Sequence, residues 1–226
     1  MLPASLLVLE RGWLSSNNIL FLEGEQAALI DSGYVSHASQ TVALLEHALA
    51  GRRLTRLLNT HSHSDHIGGN AAVTEAFGCR VIVPVGIDAT IAEWDEEALL
   101  LSPLGQSAAR FRHDETIAAG DQVELGGLEW QAIAVPGHDM DALAFHNPEQ
   151  RLLISGDALW RNGFGAWLTA EWRSASELAP GALNPAGRLR FSALGTVNLR
   201  LFANAGATPA LLQRHPWLRG ARLGIS

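Results

Sequence analysis

The chain has 226 residues, 47% of them hydrophobic and 17% charged, with a formal net charge of −7 and one cysteine. That length suits one large domain or two small ones, and the apolar fraction excludes a disordered chain. No apolar run approaches the 18 or so residues of a membrane-spanning helix, and Cys79 has no second cysteine with which to form an intrachain disulfide.

Residues 1–10 lack a basic start and a small-residue cleavage site, so no secretory signal is expected and a cytoplasmic location follows. Three short apolar runs then succeed one another, at 6–9, 19–22 and 27–30, separated by Ser15-Ser16-Asn17-Asn18 and Glu23-Gly24-Glu25. They read as antiparallel strands. Asp31-Ser32-Gly33 ends the third. Residues 36–50 carry Val42, Leu45 and Leu49 at helical spacing, with Gly51 as the expected cap. Residues 54–59 form the next strand.

That strand runs into His61-Ser62-His63-Ser64-Asp65-His66, followed by Gly68-Gly69. Side chains alternate along an extended segment, so His61 and His63 point the same way and can share one metal ion. Asp65 and His66 fall at the entry to the next helix and can reach a second ion. Imidazole nitrogen and carboxylate oxygen are ordinary ligands for zinc and related divalent metals.

A helix is expected over 69–77, closed by Gly78, and a strand over 80–85. The only cysteine, Cys79, reads as a buried core thiol. Residues 86–119 are rich in Ala, Glu and Leu, with Trp94 and Phe111, and suggest a helical insert or lid. Strands resume at 122–125, 128–135, 142–145 and 151–155. Val135-Pro136-Gly137-His138 makes a sharp turn that can present His138 inward. Leu152-Leu153-Ile154-Ser155-Gly156-Asp157 is an apolar strand ending in Gly-Asp. Strands, a few helices and strands again suit two packed sheets with helices outside.

The charge pattern then breaks. The chain has no lysine, all 23 acidic residues lie in 1–177, and residues 178–226 hold six Arg and no acid. These Arg are scattered among Leu, Ala, Gly and Pro and form no cluster.

The HxHxDH motif with its Gly pair, together with Gly137-His138 and Gly156-Asp157, resembles the metallo-β-lactamase superfamily, and within it glyoxalase II-like thioesterases and lactonases. The resemblance covers about residues 1–165. It implies an α+β fold, a four-layer αβ/βα sandwich with metals at one edge, and places residues 166–226 as a divergent or incomplete C-terminal part of the same domain. It implies that His61, His63 and His138 hold one ion, that Asp65 and His66 hold a second, and that Asp157 bridges them. Asp31 resembles the family's early loop Asp, a partner for a ligand imidazole, with a plain turn role as the alternative.

The chemistry implied is zinc-dependent hydrolysis of a small ester, thioester or lactone. Bound zinc lowers the pKa of water from 15.7 to about 7, and the resulting hydroxide attacks the carbonyl. Asp65, the one residue assigned a catalytic role, orients the nucleophile and helps move its proton. A small-molecule substrate is the expected partner. Acidic net charge and the lack of lysine argue against nucleic acid, and nothing points to a membrane.

The family's last ligand, a His on a late strand ending in Gly-His, has no match here. His215, in Gln213-Arg214-His215-Pro216-Trp217, is the only histidine after Asp157. The second metal site is therefore expected to be incomplete unless His215 serves. A shifted reading frame in a GC-rich gene would produce such a tail, and a divergent genuine ending is the alternative. Two other readings stay open. One is a persulfide dioxygenase-like enzyme with a single iron on one leading histidine, His138 and Asp157. The other is an inactive family member that keeps only the first site. Trp160 and Phe164 are the better candidates for pocket-lining residues, ahead of Trp94, Phe111 and Trp13.

Overall fold

A computed structural model of the chain describes residues 2–12, 14–136, 138–158 and, for the backbone alone, 200–202. Trp13, Trp160, Phe164 and His215 lie outside the described residues, as does nearly all of the tail. The chain divides into two compact units: 1–118 with 124–128, and 119–123 with the residues from Glu129 onward.

The first unit is built on a six-stranded sheet in the order β1-β2-β3-β4-β5-β6. Strands β1 (Leu6–Leu9), β2 (Asn18–Glu23) and β3 (Gln26–Ile30) form an antiparallel meander. From β3 onward the pairing is parallel, through β4 (Arg53–Leu58), β5 (Arg80–Pro84) and β6 (Glu115–Ile117). Parallel neighbours need crossover connections. Helix α1 (Ala38–Leu49) joins β3 to β4, and α2 (Ser64–Ile67) with α3 (Asn70–Phe77) joins β4 to β5.

Helix α1 buries Thr41, Leu45 and Leu49, one side chain per turn. The apolar spacing pointed to Val42, which is only half-buried; the polar Thr41 takes the inner position and forms hydrogen bonds there. The helix ends with Ala50, not Gly51, as its cap in the left-handed conformation, at φ 50°. Arg52 N–H then closes the turn on the Leu49 carbonyl at 3.0 Å. Gly78 closes α3 as expected, at φ 64°, donating to Thr74.

The segment after β5 differs most from expectation. It contains α4 (Asp88–Glu93) and the single turn α5 (Leu101–Leu104), then the edge strand β6. Ile87, Ile91, Leu99, Leu101 and Phe111 are buried in the same core as Leu29, Leu57 and Val81. Burying such side chains stabilises by about 1.5–3 kcal/mol each, so this stretch is part of the first unit's core and not a lid. Trp94 packs edge-on against Phe111 with ring centroids 5.6 Å apart, so both serve packing. Cys79 joins that core, and burial pushes its thiol pKa up to about 11.

A five-stranded sheet in the order β11-β10-β9-β8-β7 belongs to the second unit, except for residues 124–128 at the β7–β8 hairpin, which group with the first. Its strands are β7 (Gln122–Leu125), β8 (Leu128–Ala134), β9 (Leu143–Asn147), β10 (Leu152–Ile154) and β11 (Arg200–Phe202). Gly126 and Gly127 make the two-residue turn between β7 and β8, at φ 63° and 72°. A type I′ hairpin requires positive φ at both positions, which glycine supplies without steric cost. Strand β8 buries Trp130 and Ala132 and exposes Glu129 and Gln131, the alternation of a one-sided strand. Strand β9 is buried throughout and pairs antiparallel with β8 and with β10. Strand β11, from beyond residue 165, pairs parallel with β10, Leu153 opposite Leu201.

Candidate metal centre

The six residues expected to bind metal fall in both units. His61, His63, Asp65 and His66 belong to the first, and His138 and Asp157 to the second.

In the first unit the motif occupies the loop after β4 and the single turn α2. His63 is extended (φ −67°, ψ 150°) and α2 begins at the next residue. The backbone N–H groups of His66 and Ile67 both donate to the His63 carbonyl. This kink turns His66 back beside His61, with ring centroids 4.0 Å apart. The alternation inferred for His61 and His63 holds: His61 Nε2 and His63 Nδ1 are 3.2 Å apart. Asp65 Oδ2 lies 3.5 Å from His66 Nε2. His61 and His66 are buried, while His63 is partly exposed.

The ring tautomers follow from one buried carboxylate. Asp31 is 3% exposed and collects three donors. Thr60 N–H donates to Oδ1 at 2.9 Å, Thr60 Oγ1 donates to Oδ2 at 2.8 Å, and His66 Nδ1 donates to Oδ2 at 2.7 Å. A carboxylate only accepts, so the His66 proton sits on Nδ1 and its basic nitrogen is Nε2. The Thr60 hydroxyl has a single hydrogen, which goes to Asp31. Its oxygen therefore accepts from His61 Nδ1, 3.0 Å away. His61 likewise presents Nε2 as its basic nitrogen. Asp31 is thus a tautomer-setting partner rather than a plain turn residue.

The Asp31 turn is itself strained, with φ 58°. Asp tolerates the left-handed region better than most residues. Asp31 N–H donates to Leu58 O, and Ser32 N–H to His66 O, both at 2.9 Å. The Gly pair behind the motif has a steric reason. A Cβ on Gly69 would collide with the Ser32 carbonyl oxygen, and one on Gly68 with Val35 N and Ser64 O. Only glycine lets the Asp31 loop lie directly on α2. Sequence reasoning missed Thr60, Ser32, Asn59 and Asn70. The last three form a buried hydrogen-bonded set in which Ser32 Oγ donates to Asn70 Oδ1 at 2.6 Å and Asn70 Nδ2 to Asn59 Oδ1 at 2.7 Å. Polar residues closing the apolar run of β4 were the available signal.

In the second unit His138 follows β8, and Asp157 lies in the turn after β10, 5% exposed. His138 Nε2 is 3.5 Å from Asp157 Oδ2. His146 is no part of this pair. It sits within β9 opposite Leu153, and burial lowers its pKa.

The donor set fits a metal. Ligand atoms about 2.0–2.1 Å from a tetrahedral ion stand about 3.3 Å apart. The three pairs, His61–His63, Asp65–His66 and His138–Asp157, measure 3.2, 3.5 and 3.5 Å.

A model of the metallo-beta-lactamase superfamily matches residues 11–196, beyond the boundary near 165 suggested by the motifs. Among curated proteins, a hydroxyacylglutathione hydrolase of Hyphomonas neptunium is 37% identical over 112 residues, 50% of this chain and 36% of that protein. One from Cereibacter sphaeroides is 36% identical over 156 residues, 66% of this chain and 51% of that protein. The chain thus spans about half or less of the length of these relatives. Among solved structures, the B3 metallo-beta-lactamase BLEG-1 aligns at a TM-score of 0.60 and 20% identity, over 71% of this chain and 76% of that one. A metallo-beta-lactamase from Cronobacter sakazakii aligns at 0.60 and 24%, over 70% and 64%. These likenesses show the α+β fold class that the motifs implied.

Proposed function

The chain belongs to the metallo-beta-lactamase superfamily, and on that premise we propose that it is a metal-dependent hydrolase of a small thioester, ester or lactone. The His61–His63 pair carries the reading: two imidazole nitrogens 3.2 Å apart, with the His61 proton held on the far side of its ring by Thr60. In this assignment His61, His63 and His138 hold one ion, Asp65 and His66 hold a second, and Asp157 serves both. Zinc is the proposed metal, since imidazole and carboxylate suit it. When bound it would supply Lewis acidity and a water with pKa near 7.

The protein's own residues do the rest. Asp31 and Thr60 keep the His61 and His66 protons away from the ligand nitrogens. Asp65, partly exposed on its side chain and in the first turn of α2, is the proposed group to orient the attacking water and accept its proton. The thioester class is favoured by the relatives named hydroxyacylglutathione hydrolase.

The test combines metal content and turnover. Protein purified without added metal is analysed by plasma mass spectrometry, then assayed against a panel of hydroxyacyl thioesters, aryl esters and lactones. Bound zinc with thioester hydrolysis is the expected result: close to two per chain means that the second site is assembled, one that it is not, and His61→Ala should remove the first ion and the activity. One iron per chain with no hydrolysis would replace this reading with the dioxygenase.

A further inference from the structure

A cation is buried behind the strained Asp31 turn. Arg11 is 9% exposed, and no carboxylate pairs with it among the described residues. Burying a charge without a partner ion is costly, so the guanidinium must be satisfied by neutral acceptors. Nη1 donates to Asn18 Oδ1 at 3.1 Å and to Thr41 Oγ1 at 3.0 Å. Nη2 donates to Gln40 Oε1 at 3.1 Å and, at 3.5 Å, to the His37 carbonyl. Desolvation lowers its pKa from the ordinary value, yet an arginine stays protonated in a protein.

The direction of these bonds matters. Arginine has donors and no acceptor. Asn18 must therefore turn its oxygen toward Arg11, which turns Nδ2 the other way, onto the Asp31 carbonyl at 3.1 Å. The Thr41 hydroxyl oxygen accepts from Arg11, so its single hydrogen is directed onward, to the Ser32 carbonyl at 3.0 Å in preference to the His37 carbonyl at 3.3 Å, which already accepts from Arg11. The two carbonyls held in this way belong to successive residues of the turn whose side chain sets the His66 tautomer. Asn18, Thr41, Asp31 and Ser32 are all buried, so water cannot substitute for any of these links.

We propose that Arg11 is a positioning residue for the metal centre: by fixing the donor direction of Asn18 and Thr41, it clamps the Asp31–Ser32 turn and thereby holds the Asp31–His66 hydrogen bond. Arg11 acts through these neighbours and touches neither metal nor substrate. The consequence for metal binding rests on the assignment of His66 as a ligand, whereas the consequence for the His66 Nδ1 proton does not.

Solvent exchange of that proton, measured by NMR on the metal-free full chain, therefore tests the clamp independently of the hydrolase reading. Arg11→Met removes the donors and keeps the stem. Asn18→Asp keeps an acceptor for Arg11 and pairs its charge, but cannot donate to the Asp31 carbonyl. Both variants are expected to speed His66 Nδ1–H exchange at least tenfold while unfolding cooperatively, and to weaken zinc binding in chelator competition by about tenfold, the low end for outer-sphere partners. A role limited to packing or charge burial predicts that Asn18→Asp behaves as wild type. Unchanged exchange in Asn18→Asp would overturn the proposal. If Arg11→Met does not fold, Asn18→Asp and the nearly isosteric Thr41→Val decide it on the same readout. Faster exchange with unaltered zinc affinity would keep the clamp and remove His66 from the ligand set.

Discussion

At the carboxyl ends of β3 and β4, Asp31, Thr60, His61 and His66 are buried and hydrogen-bonded to one another. At the amino ends of the same strands and of β5, an open groove is lined by Arg53, Arg56 and Arg80. There Arg56 pairs with Glu23 at 3.0 Å, and Arg80 with Glu115 on side chains 58% and 46% exposed. Both ends are polar, yet only one has directed polarity. Where water is excluded, only protein groups can take each proton, and losing a partner leaves an unsatisfied group. Where water enters, an ion pair competes with solvent and contributes little. The proposed chemistry draws on the buried end, and graded substitutions should separate the two ends.

The largest effect is expected where backbone meets backbone. Gly69→Ala puts a methyl group into the Ser32 carbonyl, which also holds the Thr41 bond. Overpacking of this kind costs about 1–3 kcal/mol, and a contact with main chain should lie at the upper end. A denaturant midpoint checks it. A loss within about 0.5 kcal/mol, the range of ordinary surface changes, would mean that the loop gives way and the buried end is not rigid.

Asp31→Asn is next. Asn keeps the left-handed conformation but turns one acceptor oxygen into a donor. Either the His66 Nδ1 proton or the Thr60 bonds lose their acceptor. Metal affinity should fall about 10- to 100-fold, as for other outer-sphere partners, with chelator competition as the measurement. Unaltered affinity would mean that the tautomers are set by something other than Asp31.

These two positions also show what the sequence made legible. The first five strands of the first sheet were readable because apolar runs of four to six residues are bounded by turn residues. The HxHxDH cluster was readable because its ligands are adjacent along the chain. Of the supporting network only Asp31 was suggested, by resemblance; its partners were not, because Asp31 meets Thr60 and His66 across separations of 29 and 35 residues. Nothing in an alternating apolar pattern marks Arg11 or Thr41 as inward-facing. Strand β6 escaped notice because Glu115-Thr116-Ile117 is a three-residue edge with two exposed side chains. The stretch before it looked like a lid because its core side chains come from turns and short helices with no regular period. His138 and Asp157 were suggested by their Gly-His and Gly-Asp contexts, and the 3.5 Å approach of their ligand atoms came only from the fold.

The second unit offers a test of buried polarity without the metal loop. Burial holds the His146 pKa below its ordinary value of 6.5. Above that pH the ring is neutral in both folded and unfolded chains and makes no pH-dependent contribution. As the pH falls below 6.5, the unfolded chain binds a proton that the buried ring refuses, so stability is lost down to the folded-state pKa. The slope is at most about 1.4 kcal/mol per pH unit. His146→Gln should flatten the urea-midpoint profile just below pH 6.5. A profile as steep as that of wild type would assign the acid sensitivity to other groups.

The smallest effect is expected at the groove. Arg56 and Glu23 are about 20% exposed, close enough to water for their attraction to be screened. Arg56 also donates to the Glu124 carbonyl, and Glu23 accepts from Gly126 N–H. Each single substitution therefore disturbs more than the ion pair, and only a double-mutant cycle isolates the coupling. Exposed pairs couple by about 0.2–1 kcal/mol, and the coupling between Arg56→Met and Glu23→Gln should lie there and shrink as salt is raised from 0.05 to 0.5 M. A salt-insensitive coupling above about 2 kcal/mol would mark a desolvated pair. In that case the amino ends of the strands would share the directed polarity of the carboxyl ends, and the contrast between them would lie in their chemistry rather than in their exposure.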